Sequence, residues 1–356
     1  MLAEIFRRWE VRLSQRDTNR RVRPFEWGLE CLGYGRDSGG LPLRPAADCR
    51  VDTGELRSGN GDARAALIDF ADTALADSDG YHSYEPVQDY RLEGRHLTFT
   101  SPVRTAYLRN NTVHGWFFPA ESRGRAVLVI PQWNSDARGH VSLCRMMKYF
   151  GLSSLRLSLP HHDLRMSEEL VRADYMLSPN LGRTLQSLRQ AVIDARACLD
   201  WLEQRGYSRL AVLGTSLGSC VALITFAHDR RPTHSVQNHV SPYFADVVWE
   251  GISTQHVRRG LEGHVTLDDL RRIWMPISPK AYLPKLVGTG KASLLVHALY
   301  DHSFLPRLSE DVLKDYSALG LPHEALKLHC GHYTSGEFPF NIVLGYAMCD
   351  YLRRHL

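Results

Sequence analysis

The sequence predicts an α/β protein with a mostly parallel sheet covered by helices on both faces. Two patterns point there. From about residue 96 onward, short apolar runs of strand length alternate with longer segments whose apolar residues recur every three or four positions. βαβ units write that alternation, because a parallel strand is buried on both faces and is reached by a helical crossover. In addition, the run Leu210–Leu213 breaks into Gly214-Thr215-Ser216-Leu217-Gly218 ahead of an apolar helical stretch. A strand turning sharply into a helix, with a serine at the apex, has this form.

In chain order, residues 1–95 are irregular. Gly and Asp recur through 33–62, a helix is expected over Ala63–Ala76, and 77–84 is turn-rich. The segment lacks the apolar density for a core of its own and reads as an N-terminal arm packed on the rest. Leu97-Thr98-Phe99 and Val113–Phe118 are expected strands, with Asn110-Asn111 turning between them. Ala126–Pro131 is a buried strand, Ala137–Phe150 a helix stopped by Gly151, and Ser154–Leu159 the next strand. The clearest helix starts at Leu181. Leu181, Leu185, Leu188, Val192, Ala195, Leu199 and Leu202 step by four and three, Asn180 can cap it and Gly206 ends it. Leu217–His228 is the helix after the serine turn, and His234–Val240 and Ala292–Ala298 are further strands. Val312, Leu313, Tyr316 and Leu319 mark a helix closed by Gly320; Ala325–His329 is the last strand and Phe340–Leu352 the last helix.

Composition excludes little but shapes the expectations. The 356 residues are 44% hydrophobic and 23% charged, and 43 basic against 39 acidic residues give a net charge of +4. That balance does not argue for nucleic acid as a partner. The excess is local: Arg7, Arg8, Arg12, Arg16, Arg20, Arg21 and Arg23 face only Glu10 and Asp17 between residues 7 and 23. A nucleic-acid or anionic-surface arm and a transit peptide compete there with a solvated helix face or a homo-oligomer contact, and the last pair is preferred. No hydrophobic signal core follows Met1 and no apolar run reaches membrane-spanning length, so no membrane span is expected. Seven cysteines, odd in number and without CxxC pairing, point to a reduced, cytoplasmic compartment.

Ligands in open parallel sheets bind beyond the carboxyl ends of the strands. Ser216, Asp301 and His332 each stand just past an expected strand end. A serine hydroxyl becomes a nucleophile when a base takes its proton, and an imidazole does so best when a carboxylate fixes its tautomer. Ser216 is therefore read as nucleophile, His332 as general base and then general acid, and Asp301 as the group orienting the imidazole. Asp311 lies inside the following helix, and Asp268 and Asp269 fall where there is no sheet signal. His329 ends a strand, whereas Gly331 gives His332 a flexible loop. His228, His234 and His239 read as structural or surface residues. An oxyanion hole needs two backbone N–H groups; Leu217 supplies one, and Trp133, or Gln132 beside it, is expected to supply the other.

Residues 96–356, about three quarters of the chain, resemble the α/β-hydrolase superfamily, whose order of serine, acid and histidine along the chain is the one found here. The resemblance implies an eight-stranded mostly parallel sheet, a Ser-His-Asp triad and acyl transfer through an acyl-enzyme. It also implies a core of 96–240 and 286–356 carrying an inserted cap at 241–285, with Trp249 and Trp274 as candidate substrate-facing aromatics. The oxyanion loop departs from the family's common His-Gly, having Pro131-Gln132 instead.

After the strand 154–159 come His161, His162, Asp163, Arg165, Glu168 and Glu169. Adjacent histidines on one short loop rarely converge on a metal and no HExxH spacing is present. His161, His162 and Arg165 are therefore read as substrate contacts, Arg165 holding a substrate carboxylate or a nearby Asp, and no metal or organic cofactor is expected. The expected function is a serine hydrolase cleaving a carboxylic ester, or an amide, through an acyl-enzyme on Ser216. Two other readings stay open: a non-catalytic hydrolase-like binding protein and an acyltransferase.

Overall fold

The computed structural model describes residues 2–17, 19–33, 60–122 and 124–356. Most of the Gly- and Asp-rich stretch of the arm, with Cys49, lies outside the described residues. Nine strands form one sheet: β1 (Arg91–Glu93), β2 (His96–Thr100), β3 (Thr112–Phe118), β4 (Arg125–Ile130), β5 (Ser153–Leu157), β6 (Arg209–Thr215), β7 (Pro232–Asn238), β8 (Ala292–Ala298) and β9 (His323–Leu328). Their spatial order is β1-β2-β3-β5-β4-β6-β7-β8-β9. β1, β2 and β3 pair antiparallel with their neighbours up to β5, and every pairing from β5 to β9 is parallel.

The ninth strand is β1, a three-residue edge piece that turns through Gly94 (φ 61°) into β2. It lies inside the stretch read as arm, so the sheet begins at Arg91 rather than at His96. Its brevity leaves no apolar run to read in the sequence.

Alternate residues of each central strand feed two cores, as the period of a strand requires. In β4, Ala126, Leu128 and Ile130 face the helices Leu181–Gln204 and Leu217–His228. Val127 and Val129 face Val141–Tyr149 and Phe340–His355, where Cys144, Met147, Leu344 and Met348 receive them. Because both faces are covered, β4 and β6 carry continuous apolar runs, and β5 is buried throughout although Ser153, Ser154 and Arg156 interrupt its leucines. In the long helix, the Asn180 side chain accepts the Arg183 N–H at 2.8 Å, the expected cap.

The expected helix Ala137–Phe150 starts only at Val141. The Asp136 carboxylate accepts the N–H groups of Arg138 and Gly139 at 3.0 Å each, and His140 takes φ 65°. Those local bonds hold 136–140 in a turn.

Between β7 and β8 the chain forms the short helices Phe244–Glu250, Gln255–Leu261 and Leu267–Ile273. Phe244, Val248, Val257, Leu261, Leu270, Ile273 and Trp274 share the larger sheet core. The helix Asn60–Ala76 of the arm packs on Leu267–Ile273, with Arg64 paired to Asp269.

A second arm helix, Leu2–Ser14, covers much of the arginine-rich stretch for which a solvated helix face is one of the expectations. Arginines interrupt its pattern, yet Phe6, Glu10 and Leu13 stand on one face at helical spacing and are turned inward. Phe6 stacks on Tyr300 with centroids 5.8 Å apart. The six described cysteines are buried and unpaired. Among the described residues no helix is long and apolar enough to cross a membrane.

Candidate active site

β6 ends at Thr215 and the helix Leu217–His228 begins one residue later, leaving Ser216 alone in the turn at φ 57°, ψ −123°. A non-glycine residue pays for such a conformation, and the surroundings hold it there. The Ser216 N–H donates to the Asn238 carbonyl at 2.8 Å, and the Ser219 hydroxyl donates within 2.6 Å of the Ser216 and His239 carbonyls. A Cβ on Gly214 would lie 2.1 Å from the Gly218 oxygen, and one on Gly218 2.3 Å from the Ile130 oxygen. The flanking glycines let β6, its helix and the end of β4 close on one another. Asn134, His140, His161, Asp163 and His239 also have positive φ, and all follow β4, β5 or β7. Backbone strain is concentrated along the carboxyl edge of the sheet.

Asp301 follows β8 and is 2% exposed. Its Oδ1 accepts the N–H groups of Ser303 and Phe304 at 2.7 Å each, and its Oδ2 lies 3.1 Å from His332 Nδ1. The same Oδ2 is 3.0 Å from His239 Nδ1, out of line for a good hydrogen bond. Burial alone would raise the Asp301 pKa; the charge and hydrogen bond of His332, with His239 close by, outweigh it and hold the carboxyl below the usual carboxylate range. Burial likewise opposes protonation of His332, but Asp301 beside it wins and raises its pKa. At His239 burial wins and the pKa falls. The Phe304 ring stacks on His332 at 5.4 Å and 3°.

His239, read from the sequence as structural or surface, is buried with its ring 4.6 Å from His332 and its Nε2 3.2 Å from the Ser335 hydroxyl. Its place one residue past β7 matches that of Ser216 past β6, and that parallel was the available signal. The ligand atoms of His239, Asp301 and His332 lie within 4.8 Å of one another. Both Asp301 oxygens already face N–H donors, so a cation would have to displace them.

Ser216, His239 and His332 line one cavity of about 900 Å³ at the sheet's carboxyl edge. No hydrogen bond joins the Ser216 hydroxyl to His332 among the described residues. The backbone N–H groups of Leu217, Gln132 and Trp133 likewise make no hydrogen bond among the described residues, unlike that of Asn134, which donates to His162 Nε2 at 2.9 Å.

The residues expected to touch substrate divide. His162 lines the cavity and, through Asn134, fixes the loop after β4; its Nδ1 is 2.8 Å from the Pro160 carbonyl, and burial pulls its pKa down to about 4. His161 is turned away, against Tyr107 and Tyr175. Arg165 is fully buried, paired with Asp194 at 2.8 Å and donating to the Asn110 and Ser158 carbonyls. Of its two expected partners it has the Asp, and no surface is left for a substrate. Trp274 is fully buried, its Nε1 donating to the Leu181 carbonyl at 3.3 Å. Trp249 packs partly buried on the core under Arg258, outside the cavity lining.

This architecture recurs in solved structures. The acylaminoacyl peptidase of Pyrococcus horikoshii matches with a TM-score of 0.58 and 13% identity, over 76% of this chain and 42% of that one. The acetyl xylan esterase of Paenibacillus sp. R4 matches at 0.55 and 18% identity, over 82% of this chain and 94% of that one. Acetyl Xylan Esterase 1 from Thermoanaerobacterium sp. JW/SL YS485 matches at 0.56 and 14% identity, over 80% and 93%. The chain has the α/β-hydrolase fold. It spans less than half the length of the acylaminoacyl peptidases it matches. No protein-family model and no curated protein sequence matches it.

The arm reaches the α/β-hydrolase core at the His332 loop. Glu10, fully buried, accepts the Tyr333 N–H at 2.9 and 3.1 Å and the Thr334 N–H at 2.9 Å. A Cβ on Gly331 would lie 2.4 Å from this carboxylate, so the glycine makes room for Glu10 rather than freeing the loop. Arg20 donates to the Tyr333 hydroxyl, the Ile252 carbonyl and the Ser14 carbonyl at 2.9–3.0 Å. Arg16 pairs with Glu337 and Arg23 with Asp174. Three of the seven arginines thus anchor the arm to its own chain.

Proposed function

We propose that this chain is a serine hydrolase that cleaves a carboxylic ester through an acyl-enzyme on Ser216. The observation carrying this reading is a serine at a strained strand–helix turn that shares its cavity with an imidazole coupled to a buried carboxylate. His332 takes the Ser216 proton as Oγ attacks the acyl carbon, then gives it to the departing alcohol as the C–O bond breaks. Water repeats the sequence in reverse roles, returning the proton to Ser216. The raised pKa of His332 suits both duties, and Asp301, held ionised, stabilises the imidazolium between them. The unpaired N–H groups of Leu217 and of Trp133 or Gln132 serve the oxyanion. Residues 241–285 act as the cap beside Ser216, and residues 1–95 as an arm.

Both peptidases and esterases occur among the structural neighbours, so amide cleavage is the second reading. A fluorophosphonate probe should label the wild type and not Ser216→Ala, and ester turnover should fall by roughly 10⁴-fold or more in that variant. Equal labelling of both proteins would sink the assignment, and an amide panel turned over faster than esters would favour the second reading.

A further inference from the structure

Two chambers meet at Ser216. Ser216, Trp133 and Ser253 border both. The larger, about 900 Å³, carries a polar set that includes Asn134, Asp136, His140, Arg172 and Asn238. The smaller measures about 40 Å³ and is walled by Leu217, Cys220, Phe244, Val247, Val248 and Phe304. Arg172, paired with Asp17 and lying over the Trp133 ring at 5.0 Å, gives the polar chamber a fixed charge pair. Phe304, stacked on His332, stands between the imidazole and the small chamber.

We infer that the small chamber receives the acyl tail and the large one the alcohol, which makes the substrate a short-chain acyl ester of a large hydrophilic alcohol. This rests on the serine-hydrolase reading and deepens it. The partition follows from where the proton must go. His332 lines the large chamber and is absent from the small one. The oxygen that leaves with the proton, and the water that later surrenders one, must both lie within reach of that imidazole. Leaving group and water therefore occupy the large chamber, and the acyl tail, which stays covalently attached to Ser216 between the two half-reactions, takes the other.

Size then sets the chain. At roughly 10–15 Å³ per water-sized group, about 40 Å³ holds about three or four non-hydrogen atoms beyond the carbonyl carbon. Acetyl, propionyl and butyryl groups fit; hexanoyl does not unless the wall moves. The wall is an apolar, closely packed cluster with Val248 fully buried and Phe244 and Val247 nearly so, and crowding extra methylenes into such a site is unfavourable. The large chamber has the volume of a site for a far larger ligand, and its mixed lining sets the polar Asn134, Asp136, Arg172 and Asn238, which suit hydroxyl groups, beside the apolar Met146 and Val171.

The test is a chain-length series on the full-length protein, from acetyl to octanoyl esters of one alcohol, read as kcat/KM above a Ser216→Ala background. Rates should hold through butyryl and then fall about 10-fold or more per added methylene. Val247→Ala, which removes two wall carbons, should move the cut-off to longer chains. At fixed acetyl, enlarging the alcohol from methanol to a sugar-sized polyol should leave kcat/KM equal or higher. A flat or rising series to octanoyl, or rejection of bulky alcohols, overturns the chamber assignment while leaving the serine reading intact. Turnover no higher than the Ser216→Ala background for every ester, with no probe labelling of Ser216, overturns both.

Discussion

At Asp301 one carboxylate faces two imidazoles, those of His332 and His239. His332, with its pKa raised above 6.5 by that carboxylate, must be neutral to accept a proton from Ser216. Activity is therefore lost as pH falls through the His332 pKa, and the acid limb of kcat/KM should have its midpoint above 6.5. Asp301→Asn removes the charge that favours imidazolium, so the midpoint should drop while kcat/KM falls by about 10⁴-fold. An unchanged acid limb in that variant would show that His332 is not the group being titrated. The strand-end positions of Ser216, Asp301 and His332 were legible because each follows an apolar run of strand length. That of His239 was not, since the expected strand His234–Val240 runs past it whereas β7 stops at Asn238. For Trp274 and for the choice between Arg165's two expected partners the sequence offered no guide: Asp194 and the Leu181 carbonyl, which engage them, belong to a helix whose position the sequence does not announce.

Among the elements, the N-terminal helix has the most testable role. Glu10→Ala strips acceptors from two loop N–H groups and should cost about 3 kcal/mol. Its kcat should fall as the His332 loop loosens. Glu10→Gln keeps a carbonyl acceptor and should recover most of the stability. Denaturant melts paired with kcat check this, and a Glu10→Ala protein matching the wild type in both would remove the helix from the argument. Gly218→Ala, whose Cβ would meet the Ile130 oxygen at 2.3 Å, should separate β4 from the serine turn and lower expression of folded protein and labelling together. The parallel strands and the long helix were readable from period alone. The inward face of the helix Leu2–Ser14 was hard to read because a glutamate, Glu10, stands buried between Phe6 and Leu13 and breaks the hydrophobic pattern.

On the scale of the whole molecule, the buried pair Arg165–Asp194 joins the β5 loop to the longest helix, with Ser101 and Asn110 attached. Burial raises the Asp194 pKa despite the arginine beside it, so the pair pays heavily for its desolvation. Asp194→Ala should destabilise by about 3–5 kcal/mol, whereas Arg165→Met with Asp194→Leu should lose far less. A double variant as unstable as the sum of the singles would show that the network itself is needed. The fold class was legible at this scale, since alternating runs and helices admit few architectures. The attachment of the arm was not, because its polar and apolar contacts are scattered singly between distant segments.

One of those contacts has a consequence in time. Glu10 and Tyr333 are 323 positions apart, so a growing chain emits the carboxylate long before the loop it anchors. Until they meet, the histidine proposed as base rests on an unanchored loop. Hydrolytic competence would then wait on that late meeting and be the first property lost when the helix Leu2–Ser14 frays, and activity would report on docking of that helix before any global melt does.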